Sequence, residues 1–236
     1  AKSDYAKLTT LSAGGRSTST TILSLATIRQ LQHEGYLEPK ARKLLSFTDN
    51  RQDAALQAGH FNDFLRVIEL RSALNHALAD QGMLDFKSID QFVFDNLDLN
   101  PENYALRPPG EFASSQRRLD ETFRKFIMYR LLQDLRREWR VTVPNLESTA
   151  LLKISYRDLE DNCAIDGAWA NAGFLASCTS DERQEIVYQV LDYFRKSYAI
   201  SSEVYLTDEA LRGNQREIQE RLKAPWTLEG DEELPP

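Results

Sequence analysis

The stretch that decides the fold runs from Lys43 to Ala55 and reads KLLSFTDNRQDAA. Its first half, Lys43 to Phe47, is a short apolar run that suits a buried strand better than a helix. Its second half starts a long helical pattern, with Asp49 placed to cap the helix and Gln52 three residues later completing a capping box. A strand, a turn and a helix in this order are typical of α/β nucleotide-handling domains, whose chemistry lies at the carboxyl ends of strands.

The composition places the chain among helix-rich globular proteins with one large or two small domains. It has 236 residues, of which 42% are hydrophobic and 28% charged. The 10 glycines and 8 prolines are too few for an all-β sandwich with many tight turns. A net charge of -7 argues against a globally basic nucleic-acid binder and leaves room for a local basic site.

The two cysteines fit a reducing, cytoplasmic compartment, and no apolar run approaches the roughly 20 residues of a membrane span. We therefore expect a cytoplasmic protein with no membrane partner. The lack of an initiating methionine and the Pro235-Pro236 end suggest a piece of a longer protein.

Apolar periodicity and capping signals predict a mostly α chain. The predicted helices cover about 18–34, 50–79, 89–97 and 117–139, one that follows Thr179, and 207–222. Gly59 is a weak point at which the second helix could break or kink. Residues 1–16 and 98–116 read as loops, and the charge of the last helix predicts a peripheral position. Residues 141–145 and 151–156 read as short β fragments that could form the hairpin wing of a winged-helix unit.

Two further features each allow two interpretations. Gly14 and Gly15 resemble a phosphate loop but no lysine follows them, so a glycine-rich turn with Ser17 or Thr18 capping the next helix is favoured. The helix over 117–139 carries a basic face that could track phosphates or form ion pairs with interleaved acids, and ion pairing is favoured. We define the basic face as Arg117, Arg118, Arg124, Lys125, Arg130, Arg136 and Arg137.

Other catalytic and metal-binding patterns do not occur. Cys163 and Cys178 lie fifteen positions apart, without the close ligand pairs of structural zinc sites. There is no nucleophile elbow, zinc-protease helix or paired-cysteine redox motif. His60 on the long helix is best interpreted as a locally hydrogen-bonded histidine. We therefore predict no catalytic, cofactor or metal site within this chain.

The turn after the apolar run gathers five hydrogen-bonding side chains at one strand-to-helix corner. They are Thr48, Asp49, Asn50, Arg51 and Gln52. Free helix-start amides and an arginine together suit a phosphate oxygen. A capped helix whose arginine pairs with a neighbouring acid explains the same residues equally well, so the residue types alone leave both open.

The segment KLLSFTDNRQDAALQAGHFNDF, residues 43–64, resembles motif IV of large bacterial DEAD/DEAH-box helicases of superfamily 2. The close resemblance covers about residues 15–78. The resemblance implies that residues 1–82 begin a second RecA-like domain with one secure strand. It implies that 83–236 form a helical insertion or accessory domain, with residues 144–147 and 151–154 part of it.

The same resemblance implies that Thr48, Asp49, Asn50, Arg51 and Gln52 face nucleic acid, with Arg51 the foremost contact. Nucleic acid, DNA rather than RNA, and the remainder of the parent helicase are the implied partners. The Walker A loop, the DEAD/DEAH acids and the arginine-rich motif VI are absent from this sequence. ATP hydrolysis needs a phosphate cradle, a metal acid and an arginine finger together, so ATP and Mg²⁺ belong to the parent protein.

Two rival interpretations remain open on the sequence. The acidic charge and the helical second half also suit a non-enzymatic helical protein-interaction module. An unrelated α/β enzyme could use the corner at residues 48–52 as a phosphate site.

Overall fold

The computed structural model describes residues 4–45, 51–108, 110, 112–135, 145–197, 199, 201–228, 232 and 234. For 4–18, 51–60, 62 and 63 it describes the backbone alone. The helices within these ranges are α1 (Asp4–His33), α2 (Arg51–Gln81), α3 (Ile89–Leu97), α4 (Pro101–Tyr104), α5 (Ala113–Leu135), α6 (Leu159–Ala164), α7 (Asp166–Trp169), α8 (Ser180–Lys196) and α9 (Asp208–Arg221). Short 3₁₀ turns cover Pro39–Ala41 and Gly173–Ser177. The prediction of a mostly α chain is confirmed.

The predicted strand is wrong over its described part. Residues 43–45 have no strand pairing, and Leu45 is 78% exposed. Ser46 and Phe47 lie outside the described residues. A strand needs a neighbour to pair its backbone groups. The β pairing that the described residues do contain is one isolated bridge, between Ala105 and Leu222.

Helix α1 begins much earlier than the sequence predicts. Within the described residues it runs from Asp4 through Gly14 and Gly15, so the predicted loop is wrong over 4–16 and the predicted glycine turn is wrong. Each interior glycine costs a helix about 1 kcal/mol, which a helix of this length can absorb. The predicted stop is confirmed, because α1 ends at His33.

Helix α2 likewise continues through Gly59 without a break. The β fragment predicted over 151–156 is irregular backbone, and most of the fragment over 141–145 lies outside the described residues. No winged-helix hairpin forms in the part of the chain that the structure describes. The described residues between 98 and 112 are irregular as predicted, apart from the four-residue helix α4 and the bridge at Ala105, but the loop predicted over 98–116 ends early because α5 begins at Ala113.

The core lies around α5, and its members come from distant parts of the chain. Leu74 on α2, Val93 on α3 and Phe123 on α5 are buried in one cluster with Ile218 and Trp226 near the carboxyl end. The core thus draws side chains from both sides of the predicted boundary at 82/83, which itself stays a prediction.

Helix α9 is not peripheral. Its Ile218 is fully buried, and Asn214 donates hydrogen bonds to the Tyr129 hydroxyl and to the Val204 carbonyl. Its charged residues occupy the outer side, while one narrow side enters the core. None of the described helices is long and apolar enough to cross a membrane.

Candidate functional site

The predicted nucleic-acid-binding corner lies at the start of α2. Arg51 and Gln52 belong to α2 within the described residues, in agreement with a helix predicted from about residue 50 onward. Only their backbone is described, and Thr48, Asp49 and Asn50 lie outside the described residues. The first four amides of any helix lack carbonyl partners within it, so a helix start carries a partial positive charge that suits an anion or a capping side chain.

A single continuous helix joins this corner to the core. Arg66, which is 5% exposed, donates a hydrogen bond to the Pro225 carbonyl at 3.1 Å. Leu70 and Leu74 follow it into the core. With a rise of about 1.5 Å per residue, the first turn of α2 stands roughly 22 Å along the axis from Arg66. Arg51 and the core residues Leu70 and Leu74 therefore lie on one unbroken helix.

Three side chains of the basic face of α5 form ion pairs within the protein. Arg124 pairs with Asp90 at 2.9 Å, and Lys125 pairs with Glu217 at 2.7 Å. The ion-pair interpretation is confirmed for these side chains. Their acids, however, come from α3 and α9 and not from α5 itself. Arg117 and Arg118 are exposed, and Arg136 and Arg137 lie outside the described residues.

Arg130 is the clearest example of a residue of this face that is held inside the protein. It is 6% exposed, and its guanidinium donates to Glu232 at 2.8 Å and to the Gln133 side chain at 2.9 Å. Its guanidinium carbon also lies 4.9 Å from the centre of the Phe126 ring, a cation–π geometry. A guanidinium held in this way is withdrawn from solvent and from any ligand.

Two acidic residues of α5 also accept hydrogen bonds from other side chains of the protein. Asp134 receives two hydrogen bonds from Arg71 of α2, at 2.7 and 2.8 Å. Asp120 accepts from the Tyr104 hydroxyl at 2.7 Å. Burial and this carboxylate raise the pKa of Tyr104 far above its ordinary value. These charged residues of α5 thus join it to neighbouring helices.

A second cluster of polar side chains, which sequence reasoning missed, lies between the 153–158 segment and α8. Tyr156 and Tyr188 meet edge to face at 5.4 Å beside a cleft of about 360 Å³. The cleft is lined by Lys153, Ser155, Tyr156, Asp158, Leu159, Glu160, Asp161, Gln184 and Tyr188. Its charged residues are of both signs and the cleft opens to solvent. The lining therefore favours no particular class of ligand.

Arg195 holds α8 to this cluster through ion pairs. It pairs with Glu147 at 2.6 Å and with Asp192 one helical turn before it. Burial alone would lower the pKa of Arg195, but its hydrogen bonds to Asp192 and Glu147 hold the pKa above its ordinary value. Burial also raises the pKa of Tyr156, against the opposing effect of Arg195. The i,i+3 spacing of Asp192 and Arg195 was visible in the sequence, whereas the contact with Glu147 was not.

Neither cysteine belongs to a group of potential metal ligands among the residues that the structure describes. Cys163 is buried and free, and Cys178 is partly exposed and free. Within the described ranges, no three histidine, cysteine, aspartate or glutamate side chains converge as metal ligands.

No protein family, curated protein or solved structure matches the chain. The resemblance to helicase motif IV therefore rests on the residues of the 43–64 segment themselves.

Proposed function

We propose that the chain is part of an ATP-dependent DNA helicase or translocase, to which it supplies a nucleic-acid-facing loop and a helical accessory region. The observation that carries this proposal is the residue order of the 43–64 segment, in which five polar residues, 48–52, stand between an apolar run and a long helical pattern. The helical build of the chain from residue 83 onward is consistent with the accessory role.

In this proposal the loop at residues 48–52 grips the phosphodiester backbone. The helix-start amides and the Arg51 guanidinium bind phosphate oxygens, and such contacts carry no sequence information. ATP and Mg²⁺ bind the rest of the parent protein, where cleft closure brings the loop onto the strand. The gripping is then repeated with each ATP cycle.

The test is a titration of the 236-residue chain with fluorescently labelled single-stranded DNA at low salt, followed by fluorescence anisotropy. We expect weak binding that falls as salt rises. Arg51→Ala should lower the affinity by on the order of tenfold and reduce the salt slope by about one. Arg117→Ala, which removes an exposed arginine of the basic face, is the matched control and should change little.

Binding that is absent at low salt, or lost equally in both variants, would count against the proposal. A parallel titration with RNA of the same sequence tests the preference for DNA. The chain alone should not hydrolyse ATP, since it lacks the three elements of phosphoryl transfer.

A second candidate function, a non-enzymatic helical interaction module, is favoured by a separate observation. Val190, Tyr193 and Phe194 of α8 are large apolar side chains left exposed to solvent. Exposed apolar patches of this kind mark protein–protein contacts. Failure of the DNA titration together with stable association of the chain with a protein through α8 would favour this function over the first.

A further inference from the structure

The part of the chain that follows α9 packs against α5, and we call residues 225–234 the strap. The structure describes residues 225–228, 232 and 234 of the strap, and none of these belongs to a helix or a strand. Trp226, Leu228 and Leu234 are 2%, 6% and 7% exposed and belong to the same buried cluster as the apolar side chains of α5. The strap therefore adds apolar side chains to the core without adding a secondary-structure element.

The indole of Trp226 is the main apolar anchor of the strap. It meets the Phe123 ring edge to face at 5.3 Å and the Phe126 ring at 6.4 Å. The hydroxyl of Thr227 donates to the Ile218 carbonyl of α9 at 3.4 Å. A tryptophan seated on aromatic rings is a common centre of binding energy where one chain recognises another.

Two nearly buried arginines hold polar atoms of the strap. Arg66 of α2 donates to the Pro225 carbonyl at 3.1 Å, and Arg130 of α5 donates to both carboxylate oxygens of Glu232. A buried guanidinium is costly unless it is paired, so these arginines favour an occupant that brings a carbonyl oxygen and a carboxylate to them. We call the surface under the strap the strap groove, formed by Arg66, Phe123, Phe126 and Arg130.

The strap is attached differently at its root and beyond it. At the root, Leu222 forms a β-bridge with Ala105, and the Lys223 amide donates to the Tyr104 carbonyl at 2.9 Å. Beyond the root, spaced anchors such as the Trp226 and Glu232 side chains meet the groove from an irregular backbone. Spaced side-chain anchors of this kind are typical of peptide segments bound in grooves. The root therefore fixes where the strap begins, and the groove selects its side chains.

We propose that the strap groove is a peptide-binding site and that the strap is its resident occupant, which a segment of another protein can displace. The displacing segment has the chemistry of the strap: a tryptophan, a leucine two residues later, an acidic residue four residues after that leucine, and a second leucine two residues further on. The connection to α9 keeps the strap at a high effective concentration, so the closed form predominates until a matching segment competes. This site goes beyond the proposed nucleic-acid role and does not depend on it.

The first experiment titrates full-length proteins into a fluorescein-labelled peptide of residues 223–236, followed by anisotropy. The unsubstituted chain should bind the peptide weakly, because its own strap occupies the groove. Glu232→Gln weakens the contact of the strap with Arg130 and should raise the affinity for the peptide by on the order of tenfold. Glu121→Gln is the matched control, since Glu121 is exposed on α5, and it should bind like the unsubstituted chain. Equal affinities of the two variants, or no binding to Glu232→Gln, would overturn the proposal.

The second experiment removes the apolar anchor of the strap. Trp226→Ala should bind the labelled peptide at least as tightly as Glu232→Gln does, because the indole of the peptide can then fill the groove. Trp169→Ala is the matched control, since Trp169 is partly buried and lies on α7, and it should leave the affinity unchanged. Circular dichroism checks that each variant stays helical, and Glu232→Gln decides the test if Trp226→Ala unfolds. A folded Trp226→Ala that binds the peptide no better than the unsubstituted chain would contradict the proposal.

The third experiment tests whether Arg130 recognises the carboxylate. Against the Glu232→Gln chain, a peptide that itself carries Glu232→Gln should bind on the order of tenfold more weakly than the unsubstituted peptide. Adding Arg130→Met to the chain should abolish this preference, so that the two peptides bind equally. A merely structural role of Arg130 would change the affinity for both peptides by the same factor and leave the preference intact. A preference that survives Arg130→Met would therefore overturn the assigned role.

The strap of a second copy is the rival occupant of the groove. Sedimentation velocity of the unsubstituted chain distinguishes the two, because occupation by its own strap leaves a 27.0 kDa monomer at all concentrations. Exchange of straps between copies would instead give a dimer that Glu232→Gln dissociates. Such a dimer would overturn the assignment of the groove to a segment of another protein.

Discussion

Two regions of the molecule bury arginine side chains, and the surroundings of those arginines differ. Around α5, Arg130 and Arg71 flank a core of aromatic and aliphatic side chains, and each pairs with a carboxylate. We call this region the α5 core. In residues 153–197, which we call the α8 unit, the buried residues are Cys163, Arg183 and Asp192. The α5 core is apolar with charges at its edge, whereas the α8 unit has charged groups at its centre.

The α8 unit has the buried guanidinium of Arg183 at its centre, where the α5 core has apolar side chains. Arg183 is 3% exposed and donates to the backbone carbonyls of Leu175, Ala176 and Cys163 and to the Asp166 carboxylate. One side chain thus ties α8 to α6, α7 and the 3₁₀ turn. The comparison teaches that the α5 core should respond to lost volume, and the α8 unit to lost hydrogen-bonding geometry.

The largest effect is expected for Phe123→Ala in the α5 core. The Phe123 ring is fully buried, stacks on Tyr104 at 4.4 Å and meets Trp226 edge to face at 5.3 Å. Its removal should lower the free energy of unfolding by about 3–5 kcal/mol, measured by urea denaturation. Phe112→Ala is the control, since Phe112 is 77% exposed, and it should change the free energy by less than about 0.5 kcal/mol. Equal losses in the two variants would contradict an apolar core centred on α5.

Arg183→Met should produce the next largest effect and confine it to the α8 unit. Methionine fills similar space but donates nothing, so three backbone carbonyls lose a charged partner. We expect a local loss of about 3 kcal/mol, seen as faster hydrogen exchange across residues 159–197. Amides of residues 119–132 should keep their protection. Arg183→Lys, which keeps the charge but loses the planar fork, should fall between the two. Equal deprotection of both regions would show that they unfold as one.

The two regions also differ in how much of their structure local sequence signals reveal. The bounds of α3 agree with the prediction, and Thr179 and Glu182 form the predicted capping box in both directions. These features depend on residues a few positions apart, which the sequence displays directly. The pairs that assemble the α5 core join residues far apart in the chain, such as Arg71 with Asp134 and Arg130 with Glu232. No local pattern indicates which of several acids an arginine selects.

The same reason explains the wrong predictions. The Leu44-Leu45 run looks like a buried strand, but burial depends on a sheet that the described residues do not supply. Helix α9 looks peripheral by composition, yet the buried Asn214 and Ile218 bring one side of it into the core. For the candidate site, the sequence predicted the helix that contains Arg51, and its prediction that residues 48–52 meet nucleic acid stays a prediction.

Acid pH should loosen the α8 unit through Asp192. Burial would raise the pKa of Asp192, but hydrogen bonds from Lys196 and Arg195 outweigh it and hold the pKa below its ordinary value. A carboxyl with a lowered pKa in the folded state stabilises the fold above its unfolded pKa of about 4, and that contribution is lost as pH falls through the folded pKa. Asp192→Asn should therefore be less stable at neutral pH and less sensitive to acid below about pH 4.

The measurement for Asp192→Asn is hydrogen exchange of α8 amides at a series of pH values, corrected for the intrinsic exchange rate. Amides of α5 serve as the internal reference within the same molecule. We expect a smaller effect than that of Arg183→Met, because the Asp192 side chain is 11% exposed and lies at the edge of the cluster. An acid response of α8 that is identical in the variant and the unsubstituted chain would exclude Asp192 as its source.

The smallest effects are expected at two helix caps, one in each region. The Thr179 hydroxyl accepts from the Glu182 amide at 3.3 Å at the start of α8, and the Thr207 hydroxyl accepts from the Ala210 amide at 3.2 Å at the start of α9. Each change to alanine should cost about 1 kcal/mol, because one helix-start amide loses its acceptor. The two variants are matched in chemistry and exposure, so any difference between them reports on their surroundings.

The two variants should lose hydrogen-exchange protection in different parts of the molecule. Because α9 contributes Ile218 to the α5 core, Thr207→Ala should lower the global free energy of unfolding measured in urea. Thr179→Ala should act within α8 and its neighbours and leave exchange in the α5 core unchanged. If Thr179→Ala instead lowered the protection of the α5 core by the same amount, the polar centre around Arg183 and the apolar core would unfold together. The two regions would then form one cooperative unit.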